Sequence, residues 1–232
     1  MSLPWKLAQQ GDRCLLIQFG GGISLETGLR CTQAALRLRL QAPACVLDLA
    51  PSFTAVAVHF RPDGSEDQLE RLQAYIHDAL HDLDAVGNEA GSGALIEIPV
   101  CYGGDHGPDL AGMAKQLGLS ETQLITLHSG SPQLVFMVGF APGAPYLGIL
   151  PEALDLPRRA TPRTALPKGS VAIANRQTII YPNQSPGGWH LIGRTPLDLF
   201  DAKRSPAARL APGDQVRFIP ITSEQFEHWT QP

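Results

Sequence analysis

No apolar run in this 232-residue chain approaches the roughly 20 residues that span a bilayer. Charge of one sign is scarce as well: the net charge is −4, too small to indicate nucleic-acid binding. There are only four cysteines, at 14, 31, 45 and 101, and none forms a C-x-x-C pair, which excludes a zinc ribbon and argues against a disulfide framework. The first residues, Met1 to Lys6, lack the basic-then-apolar plan of a signal peptide. A soluble cytoplasmic protein with reduced thiols is the simplest expectation, with no membrane and no nucleic-acid partner. Catalytic signatures are missing too. There is no G-x-S-x-G elbow, no H-E-x-x-H, and neither glycine-rich nucleotide pattern, so no residue is singled out as catalytic and no metal is expected.

What the chain does have is glycine and proline, which make up 43 of its residues. Residues 139–232 carry 13 of the 20 prolines, a density that excludes a helical bundle for that half. Basic charge gathers in the same half. Between Arg158 and Arg217 ten Lys/Arg face only Asp198, Asp201 and Asp214, leaving the rest of the chain acidic. A basic segment in an acidic protein points to an anionic small ligand or an acidic partner surface.

The first 100 residues read as alternating strands and helices. Cys14–Phe19 is a short apolar strand ending at Gly20-Gly21-Gly22, which reads as a plain turn more readily than as a phosphate-cradling loop. Ser24 can cap a helix in which Leu25, Leu29, Leu36 and Leu40 recur at near-helical spacing. Cys45–Leu49 and Thr54–Phe60 follow as strands, and Arg61-Pro62-Asp63-Gly64 is turn chemistry. Ser65 and Gln68 suggest a capping box opening a second amphipathic helix, which carries the i, i+4 pair His77 and His81 on a face read as solvated. Gly87–Gly93 resembles a linker, and Leu95–Cys101 is strand-like. The order β-α-β-β-α-β is that of a ferredoxin-like domain.

Beyond residue 104 the pattern changes. Pro108 and Gly118 bracket a short helix, and Ser120 with Gln123 forms a capping box for another. Brief apolar runs at 133–138, 171–174, 178–181, 189–192, 197–200 and 215–219, separated by Gly and Pro, indicate a sandwich or a closed barrel. The expected organisation is α+β: residues 1–90 as the ferredoxin-like domain and 91–232 as the β-barrel domain.

The densest unusual stretch runs from Gly139 to Arg194. Its loop Gly139-Phe140-Ala141-Pro142-Gly143-Ala144-Pro145-Tyr146 offers rigid backbone and aromatic rings, as a pocket wall does. Around Thr161-Pro162 the chain is biased to extended backbone, so Arg159, Thr161 and Arg163 are expected on one side as a carboxylate or phosphate clamp. His128 is the best single histidine for a polar pocket.

Several linked motifs now carry a resemblance. Gly139-Phe140-Ala141-Pro142-Gly143, Arg158-Arg159-Ala160-Thr161-Pro162-Arg163, Gly169-Ser170-Val171, Gln177-Thr178, Ser185-Pro186-Gly187-Gly188-Trp189 and Ile192-Gly193-Arg194-Thr195-Pro196 resemble the family of 5-oxoprolinase B subunits and KipI, also labelled allophanate hydrolase subunit 1 or the carboxyltransferase C/D domain. The resemblance implies a cyclophilin-like barrel after a small α/β domain. It also implies two partners, a biotin-dependent-carboxylase-like C subunit and an A subunit, with ATP as co-substrate and conversion of 5-oxoproline to glutamate. Inhibition of a histidine kinase, or a part in urea degradation through allophanate, are the alternatives it carries. By motif, the resemblance places Arg159, Thr161, Arg163, Gln177, Ser185, Gly187 and Arg194 at a substrate or anion site, walled by Phe140, Tyr146 and Trp189. Ala144 and Asn175-Arg176 depart from the Phe and the Gly-Gly usual there; the first is expected to open the pocket wall.

Overall fold

The structure, a computed structural model, describes residues 5–20, 22–83 and 93–231. Most of the Gly87–Gly93 stretch expected as a linker, and Gly21 of the triple glycine, lie outside the described residues. The chain divides into two compact units, Met1–Ser92 and Gly93–Pro232.

In the first unit, strands β1 (Lys6–Gln9) and β2 (Cys14–Gln18) precede helix α1 (Leu25–Leu40). Strands β3 (Val46–Pro51) and β4 (Ala55–Phe60) then lead to helix α2 (Gln68–Leu80). The sheet has the order β1-β2-β4-β3, antiparallel throughout. Alternation in β2 and β4 buries Leu15, Ile17, Val56, Val58 and Phe60 in one cluster with Cys31, Ala35 and Leu38 of α1 and Leu72, Ile76 and Leu80 of α2. The expected βαββαβ plan took its last strand from Leu95–Cys101. That segment instead belongs to the second unit, and Lys6–Gln9 supplies the fourth strand of this sheet.

Local signals fared unevenly here. Ser24 caps α1 as expected, its Oγ accepting the Thr27 N–H at 3.1 Å. The Ser65/Gln68 capping box does not form, because the helix begins at Gln68 itself with Asp67 as its N-cap. Gln68 is nearly buried and ties the preceding turn together, donating to the Arg61 carbonyl (2.8 Å) and accepting from the Asp63 N–H (3.0 Å). The expected leucines of α1, Leu25, Leu29, Leu36 and Leu40, do not line the core either. Its buried face is Thr27, Gly28, Cys31, Thr32, Ala34, Ala35 and Leu38, small side chains that let the helix approach the sheet closely.

The second unit starts with β5 (Leu95–Tyr102), α3 (Leu110–Leu117) and α4 (Glu121–Ser129). Strands β6 (Gln133–Val138), β7 (Pro145–Gly148), β8 (Arg163–Leu166), β9 (Ser170–Ala174), β10 (Gln177–Ile180), β11 (Ser185–Gly187), β12 (His190–Arg194) and β13 (Gln215–Ile221) follow, then α5 (Ser223–Glu227). Seven strands close a barrel in the order β10-β7-β6-β13-β5-β12-β9. Among the described residues only β5 and β13 run parallel; β8 and β11 form a separate two-stranded ribbon. The run 197–200, expected as a strand, makes only an isolated bridge from Phe200 to Ala208.

Closure removes exposed sheet edges, and the interior fills with apolar side chains such as Val100, Val135, Leu147, Val171, Ile173, Ile192, Val216 and Phe218. Asn175 and Arg176 both hold positive φ (50° and 61°) in the β9–β10 hairpin, the conformation that a two-residue hairpin turn demands and that glycine adopts without strain. Gly118 in the left-handed region ends α3, and Ser120 with Gln123 completes the expected capping box of α4. No helix among the described residues is long and apolar enough to cross a membrane.

Candidate functional site

The segment from Pro157 to Leu166 crosses the barrel wall and meets the Ser185–Trp189 turn. The Arg159 N–H donates to the Gly188 carbonyl at 2.7 Å, and β8 pairs with β11. Beneath this crossing lies a cavity of about 210 Å³, walled by Phe140, Tyr146, Tyr181, Trp189, Arg158 and Arg159 together with Pro162, Ile179 and the Pro186–Gly188 backbone. Gly187 must be glycine here, since a Cβ would sit 2.5 Å from the Tyr181 hydroxyl and 2.6 Å from a Leu166 methyl.

The aromatic rings meet edge to face. Tyr146 and Trp189 have centroids 6.0 Å apart, and Phe140 and Tyr181 are 6.4 Å apart at 90°. Phe140 is 65% exposed and is held at a φ of 70°, a left-handed conformation that costs a residue with a Cβ about 1–3 kcal/mol. A large ring kept at the cavity mouth in a strained conformation is a feature of ligand sites more than of packing. Burial pushes the Tyr181 phenol up to about 12, with Tyr146 adding to the shift and the charge of Arg158 opposing it. Tyr146 is raised for the same first reason. Both phenols therefore keep their protons at neutral pH.

Arg158 is the guanidinium that the cavity owns. It lies 5.3 Å from the Trp189 ring centroid, a cation–π arrangement, and among the described residues no carboxylate pairs with it. Arg159 and Arg163 are placed differently from the clamp expected of them. Both are held by Asp109, which precedes α3: Arg159 Nη1 reaches its Oδ1 at 2.8 Å, and Arg163 grips both oxygens at 2.7 Å each. The Leu191 N–H donates to the same carboxylate at 2.8 Å, and the Asp109 N–H returns a bond to the Leu191 carbonyl at 2.9 Å. Asp109 is only 10% exposed at its side chain. Burial pushes its carboxyl up, but the hydrogen bonds from Arg163 and Leu191 and the charges of both arginines outweigh that, and it lies below the ordinary carboxylate range. Two arginines and one aspartate leave one positive charge, and Arg158 adds a second, so the wall remains cationic.

The other expected site residues scatter. Thr161 lines a separate hollow of about 350 Å³ on the other side of the Arg158–Arg159 segment, with Gln116 and His190. Gln177 opens β10 in the barrel wall, opposite Gly148, and does not line the aromatic cavity. Ser185 lies on β11 with a buried hydroxyl that has no hydrogen-bond partner in the structure. Arg194 is turned away from the cavity: its Nε donates to the Lys168 carbonyl at 2.7 Å and its guanidinium stands over Phe226. Ala144 is fully buried and off the cavity wall, so it does not open the pocket.

His128 is the clearest correction. It is completely buried among barrel side chains, with Nδ1 at 2.7 Å from the Tyr102 hydroxyl, Nε2 at 3.1 Å from Thr178 Oγ1, and its ring against Phe218. Burial drives its pKa down to about 3, so it is a neutral core histidine and not a pocket residue. Among the described residues no group of three or more His, Cys, Asp or Glu is placed to hold a metal ion.

Arg158, Tyr181 and Asp109 were not singled out from the sequence. Arg158 lay in the quoted arginine run and could have been found there; Asp109, 50 and 54 positions from its two arginines, gave no local signal beyond that of a helix cap.

The second unit is thus a closed seven-strand barrel with a small aromatic cavity under a basic crossing segment. The chain belongs to the family described as the carboxyltransferase domain, subdomain C and D, whose pattern matches residues 5–210. It is 34% identical to the B subunit of 5-oxoprolinase from Bacillus subtilis (strain 168) over 239 residues, covering 100% of this chain and 99% of that one. It is 42% identical to the B subunit of 5-oxoprolinase from Escherichia coli O157:H7 over 212 residues, covering 90% and 93%. The crystal structure of TTHA0988 superposes with a TM-score of 0.76 at 35% identity over 91% of this chain, which spans 40% of that longer chain.

Proposed function

We propose that this chain is the B subunit of a cytoplasmic 5-oxoprolinase, which opens 5-oxo-L-proline to L-glutamate at the expense of ATP together with the C and A subunits of that enzyme. The observation that carries this reading is the end-to-end alignment with two 5-oxoprolinase B subunits, each covered over nine tenths or more of its length. The cavity supports it. A flat five-membered lactam suits the space between Tyr146, Tyr181 and Trp189, and its carboxylate suits Arg158. The protonated phenols of Tyr146 and Tyr181 can donate toward an amide carbonyl, stabilising negative charge that develops on its oxygen.

The nucleotide does not fit the aromatic cavity. The cavity lies below the roughly 300–1,000 Å³ usual for small-molecule sites, and Arg159 and Arg163 are already engaged by Asp109. In this proposal ATP is therefore bound outside this cavity, with the partner subunits, and no step is assigned to it here.

The test is co-expression with candidate C and A subunits and an assay for glutamate and phosphate release from 5-oxoproline and ATP. The complex should turn over both substrates and the isolated chain neither. A stably assembled complex of all three chains that leaves 5-oxoproline and ATP untouched overturns the reading.

A further inference from the structure

The aromatic cavity carries positive charge and offers no negative charge to answer it. Among the described residues no Asp or Glu lines it. The side-chain oxygens in its wall are the phenols of Tyr146 and Tyr181, which burial keeps protonated. The Gly188 carbonyl already accepts from the Arg159 N–H. The carboxylate that Arg159 does meet, Asp109, is shared with Arg163 and the Leu191 N–H and is not part of the cavity wall.

An ammonium group is held either by carboxylates or by the open face of an aromatic ring. The ring route is closed here as well. Arg158 stands over the Trp189 ring at 5.3 Å, and the indole, only 4% exposed, packs with Leu166, Ala172 and Ile179. The charge of Arg158 also reaches both phenols, opposing the rise that burial causes in each. A cation entering the cavity therefore meets Arg158 beside each of these three rings, while a carboxylate is attracted by it. We propose that the cavity is selective for small cyclic monocarboxylates whose ring carries no positive charge, and that Arg158 is the specificity-determining residue that turns away α-amino acids of the same size. An amino acid that seats its carboxylate on Arg158 brings its own ammonium to roughly 6 Å from that guanidinium. At an effective dielectric of about 40, between those of protein surface and water, two unit charges at that distance cost about a factor of ten in affinity. A neutral lactam nitrogen meets no such repulsion. Only the naming of the physiological ligand rests on the 5-oxoprolinase reading; with it, ring opening creates an ammonium and weakens the hold of the cavity on the glutamate formed.

Ligand-observed NMR titration of the full chain with two acids of one shape tests the charge by itself. Cyclopentanecarboxylate and L-proline are both five-membered-ring acids and differ in the charged ring nitrogen. At pH 7 cyclopentanecarboxylate and 5-oxoproline should bind about tenfold more tightly than L-proline, and L-glutamate should bind no better than L-proline. Arg158→Gln should weaken cyclopentanecarboxylate about tenfold and shrink its advantage over L-proline to below about threefold, whereas Arg158→Lys, which keeps the charge, should retain the preference. L-Proline binding as tightly as cyclopentanecarboxylate overturns the proposal. So does a preference that survives unchanged in Arg158→Gln, or a chain that binds neither acid. An assembled complex that leaves 5-oxoproline intact overturns the 5-oxoprolinase reading but not this selectivity, which the chain shows or lacks by itself.

Discussion

Asp109 carries more of the second unit than any other single carboxylate. Its two oxygens accept from Arg159, twice from Arg163, and from the Leu191 backbone, joining the start of α3, the crossing segment and β12. Replacing it with Ala leaves two partly buried guanidiniums and one backbone N–H unpaired. Breaking a buried pair from one side costs about 3–5 kcal/mol. The arginines are 31% and 28% exposed and recover some hydration, which lowers the cost to about 2–4 kcal/mol. For a unit of this size that is a fall in melting temperature of roughly 10 °C. Asp109→Asn, which keeps an acceptor for the Leu191 N–H, should lose about half as much. The pH dependence adds a second reading. Because the folded-state pKa is depressed, the contribution is full above the ordinary carboxylate value and fades as pH falls through the lower folded value. The wild type should therefore destabilise more steeply below about pH 4 than Asp109→Asn does. Thermal and urea unfolding measure both effects. A change below about 0.5 kcal/mol in Asp109→Ala would refute the reasoning, since that is the range of ordinary surface substitutions.

Two further outcomes separate binding from architecture. Arg158→Gln should weaken binding of the anionic substrate at least tenfold, by about 1.5–3 kcal/mol, while lowering melting by only a few degrees, because among the described residues its guanidinium holds no carboxylate and loses only its contact with the Trp189 ring, worth about 0.5–1 kcal/mol; calorimetric titration of the assembled complex that shows unaltered affinity removes it from the site. His128 is neutral in the fold at a pKa of about 3 but titrates near 6.5 when unfolded, so the unfolded state takes up protons first as pH falls. Stability should drop by about 2 kcal/mol between pH 7 and pH 5 from this residue alone, and that part of the slope should vanish in His128→Gln. An identical slope in the variant would mean that His128 is not buried as described.

The sequence was most legible where backbone chemistry is local. Ser24, Gly118 and the Ser120/Gln123 pair mark helix ends through bonds spanning only a few residues, and the structure has each of them. The short apolar runs gave most barrel strands for the same reason. Legibility failed where the outcome depends on which surfaces meet. The leucine periodicity of α1 showed that a stripe exists but not that the sheet would take the opposite, small-residue face. Gln68, placed at N3 of a capping box by its spacing, is instead engaged by Arg61 and Asp63. The arginine run marked the right neighbourhood for the site, yet the roles within it were decided by Asp109.

The amino-acid sequence by itself determined the α+β composition, the places where the chain turns, and the family to which it belongs, because glycine, proline and capping residues act on their own backbone. The tertiary structure alone decided that Arg159 and Arg163 are held by an internal carboxylate while Arg158 faces the cavity. It also decided that His128 is a core residue and that the strand at Leu95 pairs with β12 and β13 instead of closing the first unit's sheet. Each of these turns on a partner tens of residues away, and charge pairing, desolvation and strand registry are set by distances in space that no spacing along the chain encodes.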